Sequence, residues 1–249
     1  MNSSLPSIHV VNLDRAPERW AKVTEALARE GLTPQRFAAI DAAKGEHLTV
    51  SRYDEAATLA RRGLPLRPAE LGCFASHVLL WQAIAKSGEA AVIMEDDLKI
   101  DAGFARVLGL LPELGRHYPM IRLSALQRGR QPRLIAELEA GYRLVRHNKG
   151  PGGTQAYFLT PLGAERLLQD TEVWFEPVDD HIDAYWRHGL AALAITPYRV
   201  DHDDGGQSYI QPGKPPARAP SAWLRRKLNR RLDRLRACWW LATHPPGKP

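Results

Sequence analysis

The sequence predicts an α/β fold in which helices flank a mostly parallel central sheet. Strand-like apolar runs alternate with helix-period segments along most of the chain. One helical segment leads directly into a continuous apolar run tipped by three acids, Glu95-Asp96-Asp97. With 249 residues and 44% hydrophobic content, the chain can bury a large core.

Ser7 to Leu13 is a short β-branched run, followed by a helix over Pro17 to Glu30, with Trp20, Val23 and Leu27 at helical spacing and Gly31 as its stop. Phe37 to Ile40 reads as a second strand, and Asp41 to Pro68 as loops with a short helix. Pro68 suits the first turn of a helix that runs to Ser87 and stops at Gly88, with an apolar stripe from Leu71 to Ala85. Ala90 to Met94 is then a buried strand. Further strands are expected at Met120 to Leu123, Tyr142 to Val145, Gln155 to Thr160 and Ala191 to Ile195, with helices over Pro161 to Gln169 and Asp180 to His188. Residues 1–210 form one body, the Pro-rich segment 211–220 a linker, and residues 221–249 a tail.

The net charge of +6 is unevenly placed. Residues 217–249 carry nine basic residues against one acid, a surplus of eight, so the first 216 residues stand at −2. A body of that balance is not a nucleic-acid binder by composition. No run reaches the roughly eighteen apolar residues that a spanning helix needs. The N-terminus shows no secretory pattern, so the expectation is a cytoplasmic protein. Cys73 and Cys238, far apart and outside any CxxC spacing, are expected to be free thiols.

A strand that ends in three carboxylates delivers them to the carboxyl edge of the sheet, where open α/β folds bind ligands. A divalent Mg²⁺ or Mn²⁺ relieves their repulsion and bridges to a diphosphate; a solvated acidic strand end is the plain alternative. The tail has a separate logic. Leu224, Leu228, Leu232, Leu235 and Trp239 fall on one helical face, with Arg225, Arg226, Lys227, Arg230, Arg234 and Arg236 around the rest and Trp223 near the start. Such a basic amphipathic helix suits an anionic membrane surface, peripheral on the inner face of the cytoplasmic membrane, or else packs on the body or on another copy.

Several ordered motifs resemble one family. IHVVNLDRAPERW resembles the opening strand and loop of glycosyltransferase family 25, which includes bacterial lipo-oligosaccharide galactosyltransferases and collagen galactosyltransferases. PAELGCFASHVLLW resembles its G-E-x-G-C-x-x-S-H helix, AAVIMEDDL its acidic motif, GTQAYFLTPLGAERLL its later strand and helix, and EPVDDHIDAYW its P-V-D segment. Ala69 stands where the family usually has Gly. The resemblance covers roughly residues 7 to 210 and implies a GT-A-type nucleotide-sugar-binding fold, a metal-bound UDP-sugar donor and inversion at the anomeric carbon.

Within that expectation the leaving diphosphate needs its charge neutralised. Asp97 is expected as a direct metal ligand beside Glu95, with His202 either completing the shell or standing as a plain surface histidine, and Glu95 and Asp96 nearer the ribose and sugar. Asn12, Leu13, Arg15 and Arg19 are expected at the uracil or pyrophosphate, although Arg19 equally suits a solvated helix. Gly153 and Thr154 shape a wall of the site or form a plain turn. Asp179 is assigned as the base that deprotonates the acceptor, and Asp180 as a helix cap. Glu70 and His77 share one helix face, within reach of the site or structural. The expected acceptor is a lipid-linked oligosaccharide of lipopolysaccharide type, and the expected sugar galactose. A metal-dependent nucleotide-sugar hydrolase and a non-catalytic membrane-surface adaptor are the competing classes.

Overall fold

The computed structural model describes residues 5–126, 132–203 and 220–244, with side chains of the last segment from Arg225 onward. In chain order the elements are β1 (Ser7–Asn12), α1 (Pro17–Arg29), β2 (Gln35–Ala38), β3 (Arg52–Tyr53), α2 (Glu55–Arg62), α3 (Pro68–Ser87), β4 (Ala91–Glu95), β5 (Leu98–Ile100), α4 (Phe104–Leu114) and β6 (Met120–Arg122). They continue with β7 (Arg133–Glu137), β8 (Arg143–Arg146), β9 (Ala156–Leu159), α5 (Pro161–Leu168), β10 (Val173–Trp174), α6 (Val178–Asp183), α7 (Tyr185–His188), β11 (Leu193–Thr196), β12 (Val200–His202) and α8 (Pro220–Thr243).

Eight strands form one sheet in the order β2-β1-β4-β9-β6-β11-β8-β7. The pairings leave β9 and β8 running against the other six, so the sheet is mostly unidirectional yet mixed. Two short pairs lie apart from it, β10 with β3 and β12 with β5. The strand AVIME is apolar throughout because both of its faces are covered. Val92 and Met94 pack with α1 and α4 residues such as Val23, Leu27, Phe104 and Leu108, whereas Ala91 and Ile93 pack with Phe74, Val78 and Trp81 of α3. Each fully buried large side chain in these layers contributes roughly 1.5–3 kcal/mol.

Helix α3 has the expected bounds. Pro68 stands at its first turn, Glu70 accepts from the Arg67 backbone N–H at 2.8 Å, and Gly88 closes it in the left-handed conformation. Glu70 is thus spent on capping, with Arg67 and Arg62 around it, and does not join His77 at the cleft described below. The expected helix over Asp180 to His188 is two short helices, α6 and α7, broken at Ala184. Asp180 is no cap: Pro177 holds the N-cap position of α6 without a side-chain hydrogen bond, and Asp180 sits inside the helix.

Cys73 and Cys238 are both free thiols. Helix α8 docks on the body through Trp240, which packs against Tyr185 at 5.1 Å between ring centroids, under the Arg146 guanidinium. Arg146 donates to the His244 carbonyl at 2.7 Å, and Arg61 of α2 pairs with Asp233 at 2.5 Å. Of the expected linker 211–220, residues 211–219 lie outside the described residues, as do the side chains of Trp223 and Leu224, and Pro220 already opens α8. No described helix is long and apolar enough to cross a membrane.

Candidate donor and metal site

Strand β4 ends at Glu95, and Asp96-Asp97 form the bend that leads into β5. Strand β5 pairs antiparallel with β12, with His202 opposite Leu98. That pairing brings His202 Nδ1 to 3.9 Å from Asp97 Oδ1. Both atoms are buried, and neither has a hydrogen-bond partner. Two buried, unpartnered ligand atoms of these types, one anionic and one aromatic nitrogen, fit a divalent cation between them.

Asp96 is held from two sides. Asn12 Nδ2 donates to its Oδ2 at 2.7 Å, and Arg19 Nη1 to its Oδ1 at 3.2 Å. Arg19 also lies 3.5 Å from Asp97 Oδ2, so it offsets part of the charge of both acids. Burial raises the pKa of the Asp96 carboxyl, while Asn12 and Arg19 hold it down. The Asn12 amide is fully engaged, donating also to the Ala16 carbonyl at 2.9 Å and accepting from Arg36 Nε at 2.8 Å. The structure therefore places Asn12 beneath the acids as their support, and outside the cleft lining.

A cleft of about 430 Å³ opens beside the acids. Leu13, Arg15 and Arg19 line one side, Ile40 and Asp41 the edge, and Cys73, Ser76 and His77 of α3 the other side. Arg15 pairs with Asp41 across its mouth. The sequence alone did not reveal what the G-C-x-x-S-H segment does locally. A Cβ on Gly72 would stand 2.4 Å from the Ile40 carbonyl oxygen, so only glycine lets α3 close on that loop. Ser76 Oγ accepts from the Ile40 N–H at 2.8 Å and donates to the Gly72 carbonyl at 2.7 Å, stapling the two walls together.

His77 is fully buried, with Nδ1 2.6 Å from the Tyr157 hydroxyl, which also accepts from Trp81 Nε1 at 2.8 Å. Burial, with Arg122 nearby, depresses its pKa to about 3, so the ring is neutral. Its Nε2 has no partner, and ligand atoms of Cys73, His77 and Glu95 lie within 4.8 Å of one another. Burial pushes the Cys73 thiol up, helped by Glu95 and Asp179, which keeps it protonated.

Glu95 accepts from the Thr154 hydroxyl. Burial of its carboxyl, then Asp97, with smaller effects of Asp96 and Asp179, pushes its pKa well above the ordinary carboxylate range. The loop 150–154 that delivers Thr154 is anchored by two residues the sequence reading passed over. Arg122 of β6, 1% exposed, donates to the Gly152 carbonyl at 2.9 Å and to that of Gly153. Asp183 of α6 accepts from the Gly152 N–H at 2.9 Å, and a Cβ on Gly150 would stand 1.9 Å from its Cγ. A charged residue inside the apolar run of β6 was the available signal for Arg122.

Asp179 is half-buried on α6 and close enough to Glu95 and Cys73 to raise the pKa of each. Asp180 is exposed as a residue, yet desolvation of its carboxyl, then the charges of Asp179 and Glu176, push its pKa up to about 7. The sequence-expected residues Leu13, Arg15, Arg19, Glu95, Asp96, Asp97, Thr154, Asp179 and His202 thus cluster around one cleft and its floor. None of the described tail residues lines it.

An α/β sheet with an acid-tipped strand beside a cleft at the carboxyl ends of β1 and β4 is an architecture of the GT-A type. The chain belongs to glycosyltransferase family 25: the family described as "Glycosyltransferase family 25 (LPS biosynthesis protein)" matches residues 5–182. It is 29% identical over 200 residues to a Drosophila melanogaster protein named glycosyltransferase 25 family member, covering 75% of this chain and 26% of that one. It is 24% identical over 237 residues to procollagen galactosyltransferase 1 of Danio rerio, covering 82% and 37%. A Mus musculus relative, 26% identical over 222 residues and covering 76% and 36%, is named inactive glycosyltransferase 25 family member 3. The chain spans between about a quarter and two fifths of the length of these relatives.

Proposed function

We propose that the chain is a metal-assisted, inverting hexosyltransferase that moves galactose from a UDP donor to a saccharide hydroxyl of lipopolysaccharide or lipo-oligosaccharide type. The observation that carries the reading is the pair of buried, unpartnered atoms Asp97 Oδ1 and His202 Nδ1, 3.9 Å apart at the tip of β4. Asp97 and His202, with Glu95 alongside, would hold Mn²⁺ or Mg²⁺. When bound, the ion neutralises the negative charge that develops on the departing diphosphate.

The remaining work falls to side chains. Arg15 and Arg19 face the cleft with the charge that a pyrophosphate requires, and Leu13 offers an apolar edge to the base. Asp96, fixed by Asn12 and Arg19, presents an oriented acceptor for donor hydroxyls. Asp179 takes the proton from the acceptor hydroxyl as that oxygen bonds to the anomeric carbon from the face opposite the breaking bond, and UDP leaves with the electron pair. The name of the Danio rerio relative supports galactose, and the description of the family supports the lipopolysaccharide acceptor.

The test is calorimetric titration of UDP in the presence and absence of Mn²⁺, on the chain and on Asp97→Ala, followed by transfer assays with UDP-galactose and UDP-glucose. Metal-dependent UDP binding that Asp97→Ala abolishes, together with transfer, is the expected result. A folded protein without metal-dependent UDP affinity would overturn the reading, and so would release of free sugar with no acceptor requirement.

A further inference from the structure

Helix α8 turns one stripe of residues to the body and carries a second, wholly apolar stripe away from it. Asp233, Ala237, Trp240 and His244, spaced by four, three and four, face the body, where Trp240 is 7% exposed. The second stripe, Leu228, Leu232, Leu235 and Trp239, has the same spacing on another face. Its members are 55%, 41%, 66% and 66% exposed. At about 1.5 Å rise per residue it runs for roughly 16 Å. A docked helix ordinarily turns its apolar residues inward. Here four large ones stand in solvent while the body is gripped by the opposite side.

The charges around this stripe identify what it meets. By helical angle, Arg225 and Arg236 flank it on one side and Arg231 on the other, with Arg234 further round beyond Arg231, all four exposed. The one acid of the described helix, Asp233, is turned to the body and paired with Arg61, with Arg236 3.5 Å from its other oxygen. The outward side is therefore apolar along its middle, cationic along both edges and free of acids among the described residues. A groove of about 550 Å³ lined by Trp186, Arg187, Leu235, Arg236 and Trp239 adjoins it, adding a recess bounded by aromatic and cationic groups. A second copy of the same surface would bring two cationic borders together, which like-charge repulsion opposes.

We propose that the outward face of α8 is a docking surface for an anionic lipid bilayer, with Leu228, Leu232, Leu235 and Trp239 entering the headgroup boundary and the flanking arginines meeting lipid phosphates. The helix lies in the plane of the surface, and Trp240, Arg61 and Arg146 tie it to the domain. The proposal goes beyond the transfer reaction and does not depend on it.

The test is flotation of the full chain with vesicles of phosphatidylcholine alone and of phosphatidylcholine mixed with phosphatidylglycerol. Binding to the mixed vesicles only, weakened by salt, is expected. Reversal of one flanking charge, Arg231→Glu, should weaken vesicle affinity by at least about fivefold, the value of one basic residue near such a surface. Leu232→Glu with Trp239→Glu should lose binding altogether, with an unchanged circular-dichroism spectrum and unchanged UDP titration. Vesicle binding that survives the double substitution overturns the proposal. So does an absence of binding by the intact chain, and so does a dimer, seen by sedimentation, that the double substitution dissociates while flotation stays the same.

Discussion

Replacing Asn12 with alanine tests whether the acidic tip of β4 is held from below. Asn12 is 1% exposed and makes three hydrogen bonds: to the Asp96 carboxylate at 2.7 Å, to the Ala16 carbonyl at 2.9 Å and from Arg36 at 2.8 Å. The two bonds to charged groups are worth about 1.5–3 kcal/mol each and the neutral one about 1, so the substitution should cost at least about 4 kcal/mol. That is a large share of the 5–15 kcal/mol typical of a domain. With its main restraint gone, Asp96 should also bind a proton more readily, because Asn12 is the leading influence that lowers its pKa. Urea unfolding followed by tryptophan fluorescence gives the stability, and UDP–Mn²⁺ calorimetry on the folded variant gives the effect on the site. Asn12→Asp should be at least as damaging, since it places a like charge against Asp96. A loss below about 1 kcal/mol with unchanged UDP affinity would refute the reasoning, because the bond to the charged carboxylate alone exceeds that.

Other outcomes follow from the same geometry. Asp179→Asn should abolish transfer while UDP affinity stays within about twofold, since the amide cannot accept the acceptor's proton; near-normal turnover would remove Asp179 from the base role. His202→Ala should weaken Mn²⁺ binding by about tenfold or more, measured by calorimetry, whereas an equal affinity would place the ion elsewhere. Because the Glu95 carboxyl has its pKa raised on folding, its contribution to stability is full below its unfolded value of about 4.5 and is lost as pH rises through the folded value. Melting temperatures of the metal-free protein and of Glu95→Gln should therefore diverge progressively between about pH 4.5 and about 8 and run parallel above it, and curves parallel throughout would contradict the burial of this carboxyl. Trp240→Ala should cost about 3 kcal/mol of local stability and appear as faster amide exchange in α8 with β4 unaffected.

The legible parts of the fold were those with strong local punctuation. Pro68 and Gly88 bound α3, and the apolar run before Glu95 marked a strand covered on both faces. Helix α4 escaped because Gly109 and Pro112 interrupt a stripe that Phe104, Val107, Leu108 and Leu111 otherwise draw clearly. Strands β5 and β12 are three residues each and exist by pairing with one another across the chain, so no local pattern announces them. The same holds at the site. Acids at a strand end can be read from sequence, but the engagement of Asn12 with Asp96, the grip of Arg122 on the loop 150–154 and the spending of Glu70 on a cap depend on which segments meet. For α8 the apolar face was legible, while its direction was not. The docking contacts come from residues such as Trp240 and Asp233 that the periodicity assigns to another face.

The pairing of β5 with β12 also constrains when this site comes into being. Asp97 leaves the ribosome some hundred residues ahead of His202, and the stretch matched by the family ends at residue 182, short of β12. A nascent chain can build the sheet around β1, β4 and β9 and still lack the imidazole that faces Asp97. Until that final short strand is in place, the acidic tip rests on Asn12 and Arg19 at Asp96 and on Thr154 at Glu95.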